Sequence, residues 1–370
     1  MTHDTARRGY LREMQRLGSM LHQQNVRYPR GTGTKGDEDM STPPSRSLRP
    51  QPDGDRARSI RIGVVGAGRV GAVLAAALRD AGHEIVTVAG ESSASRTRIE
   101  TLLPGVPVAK PTAVARACDL LLLTVPDDML SNVVSMLAAS GAIREGQQVV
   151  HTSGKHGLSV LAPAADLGAH VLAMHPAMTF TGTDVDLGRL AGCVYGVTAT
   201  LDTHELARDL VADLGGSVVW VPEDRRTLYH AGLAHGANHL VTLVTQAMDL
   251  LRASGAQDPA STLRPLLTAA LDNALSYGSA ALTGPIVRGD VETVRAHLAD
   301  IADSAPETLE SYVVMARATA NRAVLDGGLL PIRAAKLVGI LNDALDVAPA
   351  TPTAAAAAAR ATRPASGRRA

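Results

Sequence analysis

Three glycines near residue 70 leave this chain few folds to choose from. They stand in the run Ile62-Gly63-Val64-Val65-Gly66-Ala67-Gly68-Arg69-Val70-Gly71. Gly66, Gly68 and Gly71 have the G-x-G-x-x-G spacing, which on its own is a weak signal. Here an apolar run that reads as a strand precedes it, and an apolar helical stretch (Val70, Leu74, Ala77, Leu78) follows it. In that context Gly66 permits the tight turn, Gly68 lets a pyrophosphate approach the backbone, and Gly71 lets helix and strand pack closely. The helix start offers unpaired N–H groups and a partial positive charge to phosphate. Gly66, Ala67, Gly68, Arg69, Val70 and Gly71 are therefore expected to hold a dinucleotide; the plainer alternative is a glycine-rich turn with nothing bound.

The rest of the chain fits that start. Short apolar runs at 60–65, 85–88, 120–125, 148–151, 171–174, 194–197 and 218–221 alternate with helical stretches up to Pro222. That alternation reads as βαβ units and a largely parallel sheet. After Pro222 the strand signals stop, and helix-forming stretches follow at about 223–254, 259–281, 290–302 and 305–325. The expected class is α/β: a Rossmann NAD(P)-binding domain over 59–222, then an all-helical domain over 223–347. Residues 1–58, rich in Arg, Gly, Pro, Ser and Asp, cannot bury enough apolar area to offset ordering entropy and read as a disordered tail. Leu11, Met14, Leu17 and Leu21 within it do fall at helical spacing. Residues 348–370 read as a low-complexity, basic, Ala-rich tail.

Composition removes several classes of function. With 36 Lys+Arg against 36 Asp+Glu the formal charge is +0, so the basic surface that drives nucleic-acid binding is missing. One Phe, one Trp and six Tyr leave little to stack bases on. Two cysteines, Cys118 and Cys193, make neither a disulfide framework nor a multi-cysteine zinc site. No H-E-x-x-H or paired-carboxylate pattern points to a metal. No apolar run reaches the roughly 20 residues that span a bilayer, and the charged N-terminus lacks a secretory apolar segment. The expectation is a soluble, cytoplasmic protein with no nucleic-acid or membrane partner.

Beyond the glycines, the second strand ends at Ala89-Gly90 and is followed by Glu91. An acidic residue there accepts the ribose hydroxyls of NAD. Ser92, Ser93, Arg96 and Arg98, by contrast, form a hydroxyl and guanidinium cluster suited to a 2′-phosphate. The balance favours NADP over NAD. At Leu120-Leu121-Leu122-Leu123-Thr124-Val125-Pro126-Asp127-Asp128 a buried strand runs into a proline-containing loop. Thr124, Val125 and Pro126 should flank the nicotinamide ribose, because ligands of open α/β sheets sit beyond the carboxyl ends of the strands. Asp127 or Asp128 is expected to cap the next helix.

Two further strand ends carry polar clusters: His151-Thr152-Ser153-Gly154 and His175-Pro176-Ala177-Met178-Thr179-Phe180. A histidine there could give a proton to a carbonyl oxygen or imine nitrogen as hydride arrives, or could simply be satisfied by backbone groups. In Tyr229-His230-Ala231-Gly232-Leu233-Ala234-His235-Gly236-Ala237-Asn238-His239 the helical period places His230, Ala234 and Asn238 on one face. His151, His175, His230 and Asn238 are the candidate catalytic residues. Ser153, Asn238, Thr283 and Arg288 are candidate substrate contacts, Arg288 as a clamp for a carboxylate or as an ion-pair partner of Asp290 or Glu292. The stretch Leu282-Thr283-Gly284-Pro285-Ile286-Val287-Arg288-Gly289-Asp290 reads as a Gly-Pro turn between helices.

Taken in this order and spacing, the segments 66–71, 124–128, 151–154, 175–180, 229–238 and 282–290 resemble the "Rossmann-like and domain of unknown function 2520" proteins. These are relatives of pyrroline-5-carboxylate reductase and of the 6-phosphogluconate and 3-hydroxyisobutyrate dehydrogenases. The resemblance implies an NAD(P)-binding domain plus a helical domain that builds a homodimer, and some relatives look like alternative ketopantoate reductases. One departure matters: β-hydroxyacid dehydrogenase relatives carry a catalytic Lys one helical turn before the Asn, where this chain has Ala234. The proton donor must then differ, with His175, His151 or His230 as candidates. The loop around Thr283 and Arg288 also departs from that of the pyrroline-5-carboxylate reductases. The expected activity is hydride transfer from NAD(P)H to a small 2-oxo or imino acid; the alternative is a non-catalytic NAD(P)-binding regulator or scaffold.

Overall fold

A computed structural model of the protein describes residues 59–347, so the expectations for the two tails lie outside the described residues. Seven strands, β1 (Arg61–Val65), β2 (Glu84–Ala89), β3 (Leu120–Leu123), β4 (Gln148–His151), β5 (His170–Pro176), β6 (Val194–Ala199) and β7 (Ser217–Trp220), form one sheet in the order β2-β1-β3-β4-β5-β6-β7. All neighbours pair in parallel except β5 and β6. The sheet is covered on both faces, which is why β3 is four consecutive leucines rather than an alternating strand. Leu120 and Leu122 face one core, shared with Leu74 and Leu78 of helix α1 (Arg69–Asp80) and with Ile99 of α2 (Ser93–Leu102). Leu121 and Leu123 face the other, with Val114 of α3 (Pro111–Ala117) and with Leu130, Val134 and Leu137 of α4 (Asp127–Ala139). Each such leucine, fully buried, contributes about 2 kcal/mol.

The strand expected over 120–125 ends at Leu123, freeing the next residues for the crevice. The N-cap of α4 is Pro126, not Asp127 or Asp128. Both aspartates sit in its first turn, where the helix dipole favours negative charge. Short helices α5 (Ala162–Ala165) and α6 (Val185–Leu190) and the longer α7 (His204–Asp213) complete the sheet half.

From Arg226 to Val347 the described residues are helical: α8 (Arg226–Ala253), α9 (Pro259–Tyr277), α10 (Pro285–Arg288), α11 (Val291–Ser304), α12 (Pro306–Leu325) and α13 (Pro331–Val347). The expected Gly-Pro turn holds the one-turn helix α10, framed by Gly284 and Gly289 in positive-φ conformations. Helix α13 lies within the expected helical domain but beyond the four stretches named in it; Ala334, Leu337 and Leu341 repeat at helical spacing and join the core of α10–α13. The long helices α8 and α9 stand largely outside that core. Of the 28 residues of α8, only Arg226 is buried, while Leu228, Leu240, Val241 and Leu243 are exposed, as are Leu266, Leu271 and Leu275 of α9. Among the described residues no helix is long and apolar enough to cross a membrane.

Candidate active site

The glycine turn is built as its spacing suggests. Gly66 has φ +103°, a conformation that only glycine adopts freely. A Cβ there would also lie 2.7 Å from the backbone carbon of Thr124. The Gly66 and Ala67 amides donate to the Ala89 carbonyl at 3.0 and 2.9 Å, and the Thr124 hydroxyl donates to the Gly66 carbonyl at 2.6 Å. A Cβ on Gly71 would collide with that same hydroxyl and carbonyl. A Cβ on Gly68 would meet nothing nearer than 3.8 Å, and α1, capped by Gly68, has no side chain on its free N–H groups. The outer side of this turn is open to a phosphate. Beyond the end of β2 lies a cavity of about 550 Å³ walled by Gly90, Glu91, Arg96, Glu100 and Lys110.

Along the same edge of the sheet the loops after β4 and β5 meet the first turn of α8. His151 is fully buried, and both ring nitrogens are engaged: Nδ1 accepts from the Ser153 amide at 3.1 Å, and Nε2 faces the Gly157 carbonyl at 2.8 Å. Those partners fix the Nε2–H tautomer. Burial, joined by the Arg226 charge, holds its pKa down at about 4. His175 is only partly buried, and its Nδ1 lies 3.2 Å from the Tyr229 hydroxyl. Its ring sits edge-on to Tyr229 at 5.7 Å and to His230 at 5.9 Å between centroids. Burial, then the nearby Arg226 and His230, lower its pKa to about 4, so it is a neutral imidazole at pH 7. Glycine is required opposite this group as well. A Cβ on Gly154 would lie 2.6 Å from the His230 ring and 3.0 Å from His175 Nε2, and one on Gly196 would overlap the Tyr229 ring.

Glu223 and Arg226 pin the α8 turn to the sheet half. The Glu223 carboxylate accepts from the Leu158 and Ser159 amides at 2.7 and 3.0 Å. Burial opposes its ionisation, but those amides outweigh it and keep the pKa low. Arg226 donates to the carbonyls of Ser153 and Gly196 and to the Thr198 hydroxyl.

Comparison with known proteins agrees with this architecture. Residues 40–176 match the family described as a Rossmann-like domain, and residues 193–319 match the one described as Domain of unknown function (DUF2520). Each match covers about a third of the chain, the Rossmann-like one first. It is similar in structure to a candidate NADP oxidoreductase from Bacteroides fragilis, at 20% identity and TM-score 0.62, covering 71% of this chain and 98% of that one. An imine reductase from Pseudomonas sp. shares 18% identity at TM-score 0.51, covering 78% and 94%. At these identities the likeness is one of fold. No sequence among the curated proteins matches the chain.

Within this Rossmann-like and DUF2520 pair, the structure gathers His151, Ser153, His175 and His230 into one cluster, with Thr124, Val125 and Pro126 at the neighbouring strand end. Asn238 lies two turns further along α8 than His230 and is exposed. Thr283 precedes α10 and Arg288 is its last residue; both are exposed, and neither makes a hydrogen bond to the histidine cluster. The Ser92 hydroxyl caps α2 by accepting from the Ser95 amide at 3.1 Å. Arg96 faces the cavity beyond β2, whereas Arg98 lies against Gly182, so the expected four-residue cluster divides. Sequence reasoning passed over Tyr229, Arg226, Glu223 and Lys110. Tyr229 was in view beside His230, but nothing local says which residue of a helix turn reaches a strand end.

Proposed function

We propose that the protein is an NADP-dependent reductase that transfers hydride to the carbonyl or imine carbon of a small carboxylate-bearing acid. The observation that carries this reading is the His175–Tyr229–His230 group at the carboxyl edge of the sheet that also holds the glycine turn. The cofactor would lie along Gly66–Gly71 and Thr124–Pro126 and would supply the hydride. The chain supplies the proton: Tyr229 and His175 share a hydrogen bond, and both are uncharged at pH 7. That pair takes over the role of the lysine whose place is filled by Ala234. His151, with both nitrogens engaged, shapes the loop beneath. Asn238 and Arg288 orient the substrate carboxylate only if a further element brings them to the crevice.

A second copy of the chain is that element in our reading. The packed helices α8 and α9 leave Leu228, Leu240, Val241, Leu243, Leu266, Leu271 and Leu275 exposed, apolar surface of the kind that marks an interface, and we propose a homodimer through the helical half. The direct test is oxidation of NADPH and NADH, followed by absorbance, with ketopantoate first in a panel of 2-oxo and imino acids. Turnover with one acid and a preference for NADPH is the expected result. Binding of NADPH without turnover of any member would instead favour a regulator or scaffold.

A further inference from the structure

Arg226 is the one arginine of the described residues that is fully buried, at 1% exposure, and no carboxylate among them lies within ion-pair distance of it. Its terminal nitrogens bond two carbonyls and a hydroxyl, and its Nε has no partner at all. Buried arginines are normally paired, because a charge removed from water without an anion is strongly disfavoured. A cation kept under these conditions needs a reason. Its surroundings offer one: it opens the helix turn that carries Tyr229 and His230, and it is tied to the Ser153 loop and to Gly196, over which the Tyr229 ring lies.

We propose that Arg226 is a positioning residue whose buried charge, held without a directly paired carboxylate, makes Tyr229 the proton donor of the crevice. This rests on the reductase reading above. In the step it serves, a bound reduced nicotinamide would supply hydride to the substrate carbon, and the chain supplies the proton. The O–H bond of Tyr229 breaks, and its proton goes to the carbonyl oxygen or imine nitrogen. A phenolate remains beside the guanidinium until water returns the proton. The charge that was costly in the resting protein is then balanced by the anion that the reaction creates. Burial, aided by the same charge, keeps His175 from taking a proton and competing for the role. The other groups facing the pair are His230, Asp127, Cys193 and, beside Arg226, Glu223; burial raises the phenol pKa, while Arg226 and the Gly196 amide work to lower it.

The test uses the full chain and two titrations that need no substrate. Tyr229 is followed by its ring-carbon NMR signal, assigned with Tyr229→Phe, and His175 by its imidazole signals. In Arg226→Met both titrations move up, the phenol because its anion has lost a cation, the imidazole because its cation has lost a neighbour of like charge. Loosening of the site would also raise His175 but would move Tyr229 down, toward an exposed phenol. Arg226→Lys keeps both near the wild-type positions. With a turned-over acid, Arg226→Met and Tyr229→Phe each lose on the order of 100-fold in kcat, with KM nearly unchanged. A Tyr229 titration that stays put or falls in a folded Arg226→Met protein overturns the proposal. Should that variant not fold, Arg226→Gln, which keeps a donor toward Ser153, carries the same criterion. Failure of the reductase reading looks different: no acid is reduced by the wild type, yet the titrations shift as stated.

Discussion

The sheet half and the long helices of the second half treat their apolar residues in opposite ways. In the first, β1, β3 and α1 bury nearly every large apolar side chain they own, on two cores separated by the sheet. In the second, α10 to α13 close a core of their own, but α8 buries a single residue of 28, and that residue is an arginine. Helices of such length gain most of their stability from packing rather than propensity. The sheet half has two closed cores, whereas α8 and α9 leave exposed the apolar side chains that the homodimer proposed above would cover. The candidate site lies where the two regimes meet, in the first turn of α8.

The sharpest break of that contrast comes from the exposed apolar stripe. Leu240→Asp together with Val241→Asp places charges where a second copy would bury them, each several kcal/mol against association. We expect dimer association weakened a thousandfold or more, which is at least about 4 kcal/mol, visible by analytical ultracentrifugation. The calorimetric trace should also split, with the helical half melting first and the sheet half near its original temperature. A variant that stays associated and melts in one unchanged transition would contradict a packing role for the stripe.

The matching lesion in the sheet half is Gly71→Ala. Its new methyl has to displace the Thr124 hydroxyl and the Gly66 carbonyl, neither of them a flexible chain end. Overpacking of this kind costs about 1–3 kcal/mol, and the distorted turn should no longer bind NADPH in a fluorescence titration. Because the helical half has its own core, its oligomeric state should survive. Binding of NADPH at wild-type affinity would mean that the cofactor does not use this turn.

Acid separates the two halves more gently. His151 and His175 both take up protons less readily in the folded chain than in the unfolded one, with folded values of about 4. An unfolded histidine titrates near 6.5, so the stability these two contribute is complete above that pH and is lost as the pH falls toward 4. A melting temperature followed from pH 7 to 4 should decline across that window, and His151→Gln should flatten the decline. A flat profile in the wild type would show that neither imidazole is held neutral by the fold.

How far the sequence foretold these arrangements depended on the distance over which each contact acts. The glycine turn and the four leucines of β3 are local statements, and the structure repeats them almost residue for residue. His151 and His175 looked equivalent, each at a strand end beside polar residues. What separates them is a loop closing six residues later on Gly157 in one case and a hydroxyl 54 positions away in the other. Arg226 was invisible for the same reason: its bond to Ser153 spans 73 residues, and in sequence it is one more cation near a helix start. Lys110, too, reaches the cofactor edge only because the segment behind it runs beside β2, with the Ala109 amide donating to Val88.

That edge yields the smallest effect. Of the residues that suggested a 2′-phosphate, Ser92 is engaged in capping α2 and Arg98 lies elsewhere, leaving Arg96 and the unforeseen Lys110 as the cations of the cavity. Glu91 and Glu100 face them from the same walls, so the local charge is nearly balanced and the proposed preference for NADP would rest on one guanidinium and one ammonium. Arg96 is exposed, and water screens its attraction for phosphate. Arg96→Ala should therefore cost only about tenfold in NADPH affinity, the scale of one charge-assisted contact, and leave NADH binding unchanged. Glu91→Gln should act in the opposite sense, because a carboxylate repels the 2′-phosphate and accepts from the free ribose hydroxyls of NAD. If Arg96→Ala weakened both cofactors alike, the guanidinium would be holding the adenine side as a whole, and the two cofactors would have to be told apart by Lys110 alone.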